Sequence, residues 1–183
     1  MNRPLRHALL ALCCTVSVDA RAELVLSSPA LVDGGGLDEA HVLDGFGCAG
    51  ENLSPALSWS GAPEGTRSYV VTVYDPDAPS GSGWWHRSVF DVPGDVESLP
   101  RGAGSGEIPL PDGAVQARND FGTNAYGGAC PPEGDAPHRY VFTVYAMAQD
   151  GLGLDAGASG AMVGFFVNTT SLVRASLEVR YGR

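Results

Sequence analysis

Apolar and polar residues alternate with a period of two over much of this chain, a pattern typical of half-buried β-strands. The clearest runs cover residues 68–74, 85–92, 140–147 and 172–181, with shorter ones at 24–26 and 57–59. The 25 glycines and 13 prolines fall mainly between these runs, where they favour turns. A helix is predicted over residues 159–167, with Ser159 as N-cap and with Met162, Val163 and Phe166 on one face.

No internal repeat and no linker divides the chain, so the strands belong to one domain. Residues 93–126 show little periodicity and are predicted to form a long loop around one end of it. The pattern predicts a mostly β fold, a two-sheet antiparallel β-sandwich with Greek-key connections and one or two peripheral helices.

The N-terminus has the features of a secretory signal. A short basic start precedes an apolar run over residues 8–18 that is too short to span a bilayer, and Ala20-Arg21-Ala22 gives the spacing that signal peptidase accepts. We expect a signal peptide over residues 1–22, cleaved after Ala22, and a periplasmic or secreted domain over 23–183. The alternative is an N-terminal helix that stays in place. No later stretch is long enough for a transmembrane segment.

Charge and cysteine content narrow the partners and the compartment. The formal net charge of −10 argues against binding nucleic acid or an anionic membrane surface through the overall field. Two of the four cysteines lie in the predicted signal, which leaves Cys48 and Cys130. In an oxidising compartment these two can form a disulfide; the alternative is a pair of buried thiols.

Two polar stretches interrupt the strand-like sequence. The first is Asp75-Pro76-Asp77-Ala78-Pro79 with Trp84-Trp85-His86, and the second is residues 127–132 with His138-Arg139-Tyr140. Strand alternation places His138 and Tyr140 on one face, and it places His86 and Ser88 together, opposite Trp85 and Arg87. The two arginines, Arg87 and Arg139, are expected to face solvent or to pair with surface carboxylates.

If the histidine-bearing faces meet at the strand exit, Asp75, His86, His138 and Tyr140 line one pocket. A neighbouring carboxylate favours the imidazolium form of histidine, which attracts an oxyanion. The turn at residues 127–130 is expected to add consecutive backbone N–H groups to the same oxyanion. We therefore predict a small anion pocket, with structural histidines and a capping Asp as the alternative.

The same stretches resemble the phosphatidylethanolamine-binding protein family, which includes the Raf kinase inhibitor proteins, and in particular its bacterial exported branch. The matching segments are residues 52–59, 74–79, 81–86, 120–122, 126–132, 138–140 and 159–165. The resemblance implies ligand-binding roles for Asp75, His86, His138 and Tyr140, for Gly128 and Pro132 in the adjoining turn, and for Asp77 in the first loop. Arg87 and Ala129 depart from the family pattern.

Three functions remain open at this point. The first is a non-catalytic binding or regulatory protein, without cofactor, for a phospholipid head group, a small phosphorylated ligand or a partner protein reached through the pocket-rim loops. The second is a hydrolase or metal-dependent enzyme that uses Asp75, His86 and His138, with Ser54, Ser80, Ser82 or Ser88 as a nucleophile. The third is an inhibitor of an exported protease or a host signalling protein.

Overall fold

The computed structural model describes residues 23–106 and 108–183, and the predicted signal peptide lies outside them. Ten strands, one α-helix and one short 3-10 helix occur in this part of the chain. In chain order they are β1 (Val25–Ser27), the 3-10 helix (Glu39–His41), β2 (Asp44–Gly45), β3 (Cys48–Ala49), β4 (Leu57–Ser60), β5 (Ser68–Asp75), β6 (Trp84–Pro93), β7 (Ser98–Leu99), β8 (Val115–Gln116), β9 (His138–Met147), α1 (Gly160–Thr170) and β10 (Ser171–Tyr181).

The strands form a five-stranded sheet in the order β10-β9-β5-β6-β8, a three-stranded sheet in the order β1-β4-β7 and the β2-β3 hairpin. All pairs within these sheets are antiparallel. Leu57 and Trp59 of the three-stranded sheet share one buried core with Val71, Val73 and Phe142 of the five-stranded sheet. The prediction of a mostly β fold with a peripheral helix is confirmed, whereas a two-sheet description leaves out the separate hairpin.

Helix α1 covers part of the opposite, outer face of the five-stranded sheet. Val163 and Val167 are fully buried there, in a second apolar cluster with residues of β5, β6 and β9. The helix starts where the sequence predicts, because the Ser159 hydroxyl accepts a hydrogen bond from Met162 N at 3.2 Å. The predicted face is wrong in one position: Met162 is 49% exposed, and the glycines of the helix take the sheet-facing places instead.

Residues 93–126 are less irregular than predicted. They contain β7, which pairs with β4, and β8, which pairs with β6. Each of these strands has only two residues. A segment that short cannot show a period, so alternation alone could not reveal it.

A register shift in β6 overturns the predicted sorting of side chains. Val73 of β5 pairs with Arg87 and the next residue, Tyr74, pairs with Trp85, so His86 is the extra residue of a β-bulge. His86 and Arg87 therefore both turn toward the inner side of the sheet. Ser88 lies opposite Thr72 on the other face, away from His86.

Arg87 is accordingly not a surface residue. Its side chain is 1% exposed; Nε donates to Gln116 Oε1 at 3.1 Å and Nη2 donates to the Ala103 carbonyl at 2.7 Å. Burial lowers the pKa of Arg87 to about 10, so the guanidinium still carries its charge at neutral pH. The expectation of a solvent-facing Arg87 is wrong because the bulge reverses its direction.

Candidate functional site

A cavity of about 190 Å³ lies at one end of the five-stranded sheet. Asp75 ends β5, His138 begins β9 and His86 follows the start of β6, and antiparallel pairing brings these strand ends to the same edge. All three side chains line the cavity. Its remaining walls are mainly apolar: Phe46, Ala78, Pro79, Trp84, Phe121, Cys130, Pro131 and Pro132.

Asp75 holds His138 in place. One carboxylate oxygen accepts a hydrogen bond from His138 Nδ1 at 2.8 Å, and the other accepts from the backbone N–H groups of Asp77 and Ala78 at 2.8 and 3.0 Å. Both oxygens of this 3% exposed carboxylate are therefore occupied. The bond fixes the hydrogen on His138 Nδ1 and leaves Nε2 for other contacts, of which the nearest carboxylate is that of Asp135, at 3.6 Å.

His86 has a different environment. Its Nδ1 donates to the carbonyl oxygens of Gly127 and Gly128 at 2.8 and 3.1 Å, and carbonyls can only accept, so Nδ1 carries the hydrogen. The side chain is 3% exposed, and this burial lowers the pKa of His86. His86 is therefore neutral at pH 7. The expectation of a carboxylate-stabilised imidazolium at His86 is wrong, because burial outweighs the partners that would raise its pKa.

His86 lines the cavity, and its neutral ring has an acceptor at Nε2. Its Nε2 is buried and has no hydrogen-bond partner within residues 23–106 and 108–183. A buried acceptor without a partner costs about 1–3 kcal/mol, which a ligand bringing a hydrogen-bond donor recovers. This atom is the most direct sign that the cavity receives a polar group.

The glycine turn does not form the predicted oxyanion nest. Gly127 N donates to the His86 carbonyl at 3.0 Å, Gly128 N to Asn52 Oδ1 at 2.7 Å and Ala129 N to the His41 carbonyl at 3.3 Å. These N–H groups are used inside the fold, and the turn presents carbonyls to His86 instead. Gly128 is required by packing, since a Cβ there would lie 2.4 Å from the backbone nitrogen of Leu43.

Pro132 lines the cavity, whereas Tyr140, which was predicted to line it, does not. The Tyr140 ring packs edge-on to His86 at a centroid distance of 5.2 Å. Tyr140 is 1% exposed, burial raises its pKa, and its hydroxyl has only a weak contact with the Cys130 backbone in the described part of the chain. It is therefore a second buried polar group next to the cavity.

Asp77 lies outside this cavity. Its carboxylate accepts hydrogen bonds from Arg139 through the backbone N–H and Nε, both at 2.9 Å, and Nη2 at 2.7 Å. The Arg139 guanidinium lowers the pKa of Asp77 to about 2. The pair ties the first loop to the start of β9, and the expected pairing of Arg139 with a surface carboxylate is confirmed.

Aromatic residues for which the sequence predicted no ligand contact form much of the cavity wall. Trp84 and His86 both pack against Phe121, at centroid distances of 5.4 Å each. The Trp84 indole Nε1 is buried without a hydrogen-bond partner among the residues described. Phe46 stands at the rim, 76% exposed, 5.6 Å from Phe121. Only the closeness of Trp84 to His86 in sequence could have suggested these roles.

The structure pairs Cys48 with Cys130, as predicted, with their Cα atoms 6.0 Å apart. Cys130 lines the cavity, and Cys48 belongs to the β2-β3 hairpin whose tip carries Phe46. The bond thus connects the rim hairpin to the cavity wall. It restricts the unfolded chain through a sequence separation of 82 residues.

The enzyme alternatives find little support in this geometry. Among residues 23–106 and 108–183, no group of three His, Cys, Asp or Glu side chains is arranged to hold a metal ion. The four candidate serines do not line the cavity. Ser54 is buried and donates to the Ala103 carbonyl, and Ser88 lies on the other face of the sheet.

In the part of the chain that the structure describes, no helix has the length and apolar character that crossing a membrane requires.

Comparison with known proteins identifies the family to which this fold and this strand-end cavity belong. The family model described as phosphatidylethanolamine-binding protein matches residues 27–182, so the chain belongs to that family. The YbcL protein of Escherichia coli is 49% identical over 168 residues, which cover 91% of each chain. The YbhB protein of the same organism is 51% identical over 156 residues, 85% of this chain and 98% of that one.

Solved structures support the same family assignment. The crystal structure of Escherichia coli YbcL, described as a member of the mammalian family of these proteins, superposes with a TM-score of 0.86 at 49% identity and covers 88% of this chain and 99% of that one. A Chlamydia trachomatis homologue of the same family superposes with a TM-score of 0.74 at 29% identity, covering 88% of this chain and 99% of that one.

Proposed function

We propose that this protein is a non-catalytic binding protein whose strand-end cavity takes a phosphate-like anionic group. The observation that carries the proposal is the unpaired, buried Nε2 of His86, a residue that lines the cavity together with Asp75 and His138. The family name adds phospholipid head groups as the ligand class. The predicted site residues Asp75, His86, Gly128, Pro132, His138 and Tyr140 line or support this cavity, and Asp77 holds the loop beside it.

The chemistry of the cavity requires protons for anion binding. Neutral His86 offers a lone pair at Nε2, and an oxyanion also offers only lone pairs. Binding therefore needs either a P–OH hydrogen donated to Nε2 or a proton taken up by His86. The Asp75 carboxylate, whose oxygen lies 2.8 Å from His138 Nδ1, also repels an anion in the cavity. The proton needed at His86 or on the phosphate predicts tighter binding at lower pH.

The size of the cavity favours a small group. Sites for complete drug-sized ligands measure roughly 300–1,000 Å³, and this cavity measures about 190 Å³. A phosphate or the end of a head group fits that volume better than a whole lipid. The exposed ring of Phe46 and the apolar wall residues then contact whatever the phosphate is attached to, whether a lipid or a partner protein.

None of the serines proposed as nucleophiles lines the cavity, which supports the binding role over hydrolysis by a serine nucleophile. A histidine pair could act as acid and base, but the serines proposed from the sequence lie elsewhere. We also propose that residues 1–22 direct export, so that the domain acts in the periplasm or outside the cell. The acidic charge and the disulfide pair are compatible with that location.

Calorimetric titration of the domain over residues 23–183 tests the proposal. Inorganic phosphate and phosphoethanolamine are added at pH 5.5 and pH 8, in two buffers that differ in ionisation enthalpy. We expect saturable binding at pH 5.5 and weaker binding at pH 8. Uptake of about one proton at pH 5.5 indicates that His86 is protonated on binding, and no uptake indicates that a P–OH donates to Nε2. His86→Asn should abolish binding, whereas His41→Asn, at a histidine outside the cavity, should retain it. Absence of any heat at pH 5.5, or no effect of His86→Asn, would refute an anion site here.

A further inference from the structure

A second cavity, of about 400 Å³, lies on the outer face of the five-stranded sheet beside α1. The sheet separates it from the anion cavity, and the two consecutive tryptophans mark the two sides: Trp84 lines the anion cavity and Trp85 lines this one. We call it the outer groove. Its volume falls within the range of roughly 300–1,000 Å³ that is usual for small-molecule sites.

The floor of the outer groove is a row of hydroxyl groups. Thr72 of β5 pairs with Ser88 of β6 on one side and with Thr143 of β9 on the other, and Thr143 pairs with Ser176 of β10. Directly paired residues point to the same face of a sheet, so four hydroxyl side chains cross four strands in line. Thr72, Thr143 and Ser176 line the groove itself.

Part of this row lacks protein partners. The hydroxyls of Thr143 and Ser176 bond each other at 2.9 Å. The Thr72 side chain is 2% exposed and lines the groove. The adjacent Ser88 hydroxyl is buried without a partner within residues 23–106 and 108–183. Buried hydroxyls are usually hydrogen-bonded, so the row has a hydrogen-bonding capacity that the fold does not fully use.

One wall of the groove is a fixed aromatic surface. Trp85 packs against Tyr74 at a centroid distance of 4.5 Å. It also fits beneath two helix glycines: a Cβ on Gly160 would lie 2.3 Å from its Cγ, and one on Gly164 would lie 3.0 Å from its Cη2. The indole therefore cannot move away from the groove without displacing α1.

The opposite wall supplies a cation. Arg174 is exposed and its Nη1 donates to Asn168 Oδ1 at 3.2 Å. No carboxylate in the described chain lies within ion-pair distance of it. In a chain with a net charge of −10, such a guanidinium is a local site for an anion.

We propose that the outer groove binds an acidic monosaccharide of the uronic acid class. Hydroxyl side chains donate and accept at once, so the row matches the hydroxyls of a pyranose ring. The apolar C–H groups of the ring contact the part of Trp85 that lines the groove, and the carboxylate pairs with Arg174 through charge-assisted hydrogen bonds. The site is independent of the anion cavity and of the function proposed for it.

The three tryptophans make the two sites distinguishable in one measurement. In a ¹⁵N-labelled sample, the indole N–H resonances of Trp59, Trp84 and Trp85 report on the core, the anion cavity and the outer groove. Titration with D-glucuronate should shift the Trp85 resonance saturably and leave Trp84 in place. Inorganic phosphate at pH 5.5 should move Trp84, so failure of the anion site would appear separately from failure of the groove.

Substitutions then assign the contacts. Arg174→Gln and Thr143→Val should each weaken D-glucuronate binding about tenfold or more, the usual effect of losing a hydrogen bond to a charged or polar ligand group. Arg180→Gln, which removes the same charge elsewhere on β10, should leave the affinity unchanged. D-glucose should bind about tenfold more weakly than D-glucuronate. A Trp85 resonance that does not move, equal affinity for the two sugars, or full affinity in both groove variants would overturn the proposal.

Discussion

The two histidines of the anion cavity are held in opposite ways. His138 is bonded to a carboxylate, that of Asp75 at 2.8 Å, whereas His86 is bonded to two backbone carbonyls in a turn packed against residues 41–43. A single substitution of Asp75 removes the partner of His138. The partners of His86 are backbone carbonyls, which move only if the path of the turn changes. The His138 side of the cavity is therefore set by side-chain chemistry, and the His86 side by backbone packing.

The two histidines also differ in the charged groups that surround them. His86 is buried with no carboxylate bonded to it, and its pKa is lowered. His138 lies between two carboxylates, at 2.8 and 3.6 Å. The cavity thus combines a neutral ring that can accept a hydrogen with a ring that a carboxylate holds. A substitution near one of these histidines changes the surroundings of that ring and leaves those of the other ring unchanged.

The largest effect is expected on the His86 side, from Gly128→Ala. The added Cβ would lie 2.4–2.6 Å from backbone atoms of the segment at residues 41–43, which cannot rotate away. Overpacking against backbone should cost about 3 kcal/mol of unfolding free energy, measured by urea denaturation. Gly36→Ala is the matched control, because a Cβ there meets nothing within 4 Å. Equal stability of the two variants would mean that the turn is not tightly packed.

On the His138 side, Asp75→Asn should destabilise less, by about 2 kcal/mol. The amide keeps the shape and one acceptor but loses charge-assisted bonds to His138 and to the loop. The exposed pair is the comparison: Asp77→Asn removes a bond to Arg139 and should cost about 0–1 kcal/mol. Denaturant midpoints measure both. A larger loss for Asp77→Asn would reverse the roles given to these carboxylates.

Strand alternation in the sequence predicted the His138 side of the cavity. It did not predict the His86 side, which depends on a β-bulge. His138 and Tyr140 follow unbroken alternation and share a face as predicted, and Asp75 lies at the end of β5, where the apolar run stops. His86 and Arg87 do not follow the alternation, because the bulge adds one residue to β6 and alternation cannot show which strand carries it. The turn at residues 127–130 misled for a similar reason: glycine-rich sequence shows that close approach is possible, but not that His86, Asn52 and His41 consume the N–H groups.

The lowered pKa of His86 predicts how stability changes with pH. Below the unfolded histidine pKa of about 6.5, the unfolded chain binds a proton that folded His86 does not. Stability should therefore be complete above pH 6.5 and should fall on acidification, by at most about 1.4 kcal/mol per pH unit from this group. The facing charges of Asp75 and Asp120 reduce the effect but do not reverse it.

Unfolding free energies of wild type and His86→Asn, measured from pH 7.5 to 5, isolate this contribution. Asn retains a donor for the Gly127 carbonyl but does not titrate. The difference between the two proteins should shrink toward low pH. Saturating phosphate should remove part of the acid loss in the wild type, because the ligand makes use of the proton. A constant difference across this range would contradict a buried, neutral His86.

The smallest effect on stability is expected at Tyr140, which packs against His86 from below. Its hydroxyl has only a weak contact with the Cys130 backbone in the described residues, so Tyr140→Phe removes a desolvated polar group with little loss of hydrogen bonding. Stability should change by less than about 1 kcal/mol, or rise slightly. Phosphate binding should nevertheless weaken, because we expect a bound anion to bond this hydroxyl. Thermal unfolding with and without phosphate separates the two effects. If Tyr140→Phe strongly destabilised the free protein, the hydroxyl would have a structural partner, and the cavity would hold one ligand contact fewer than proposed.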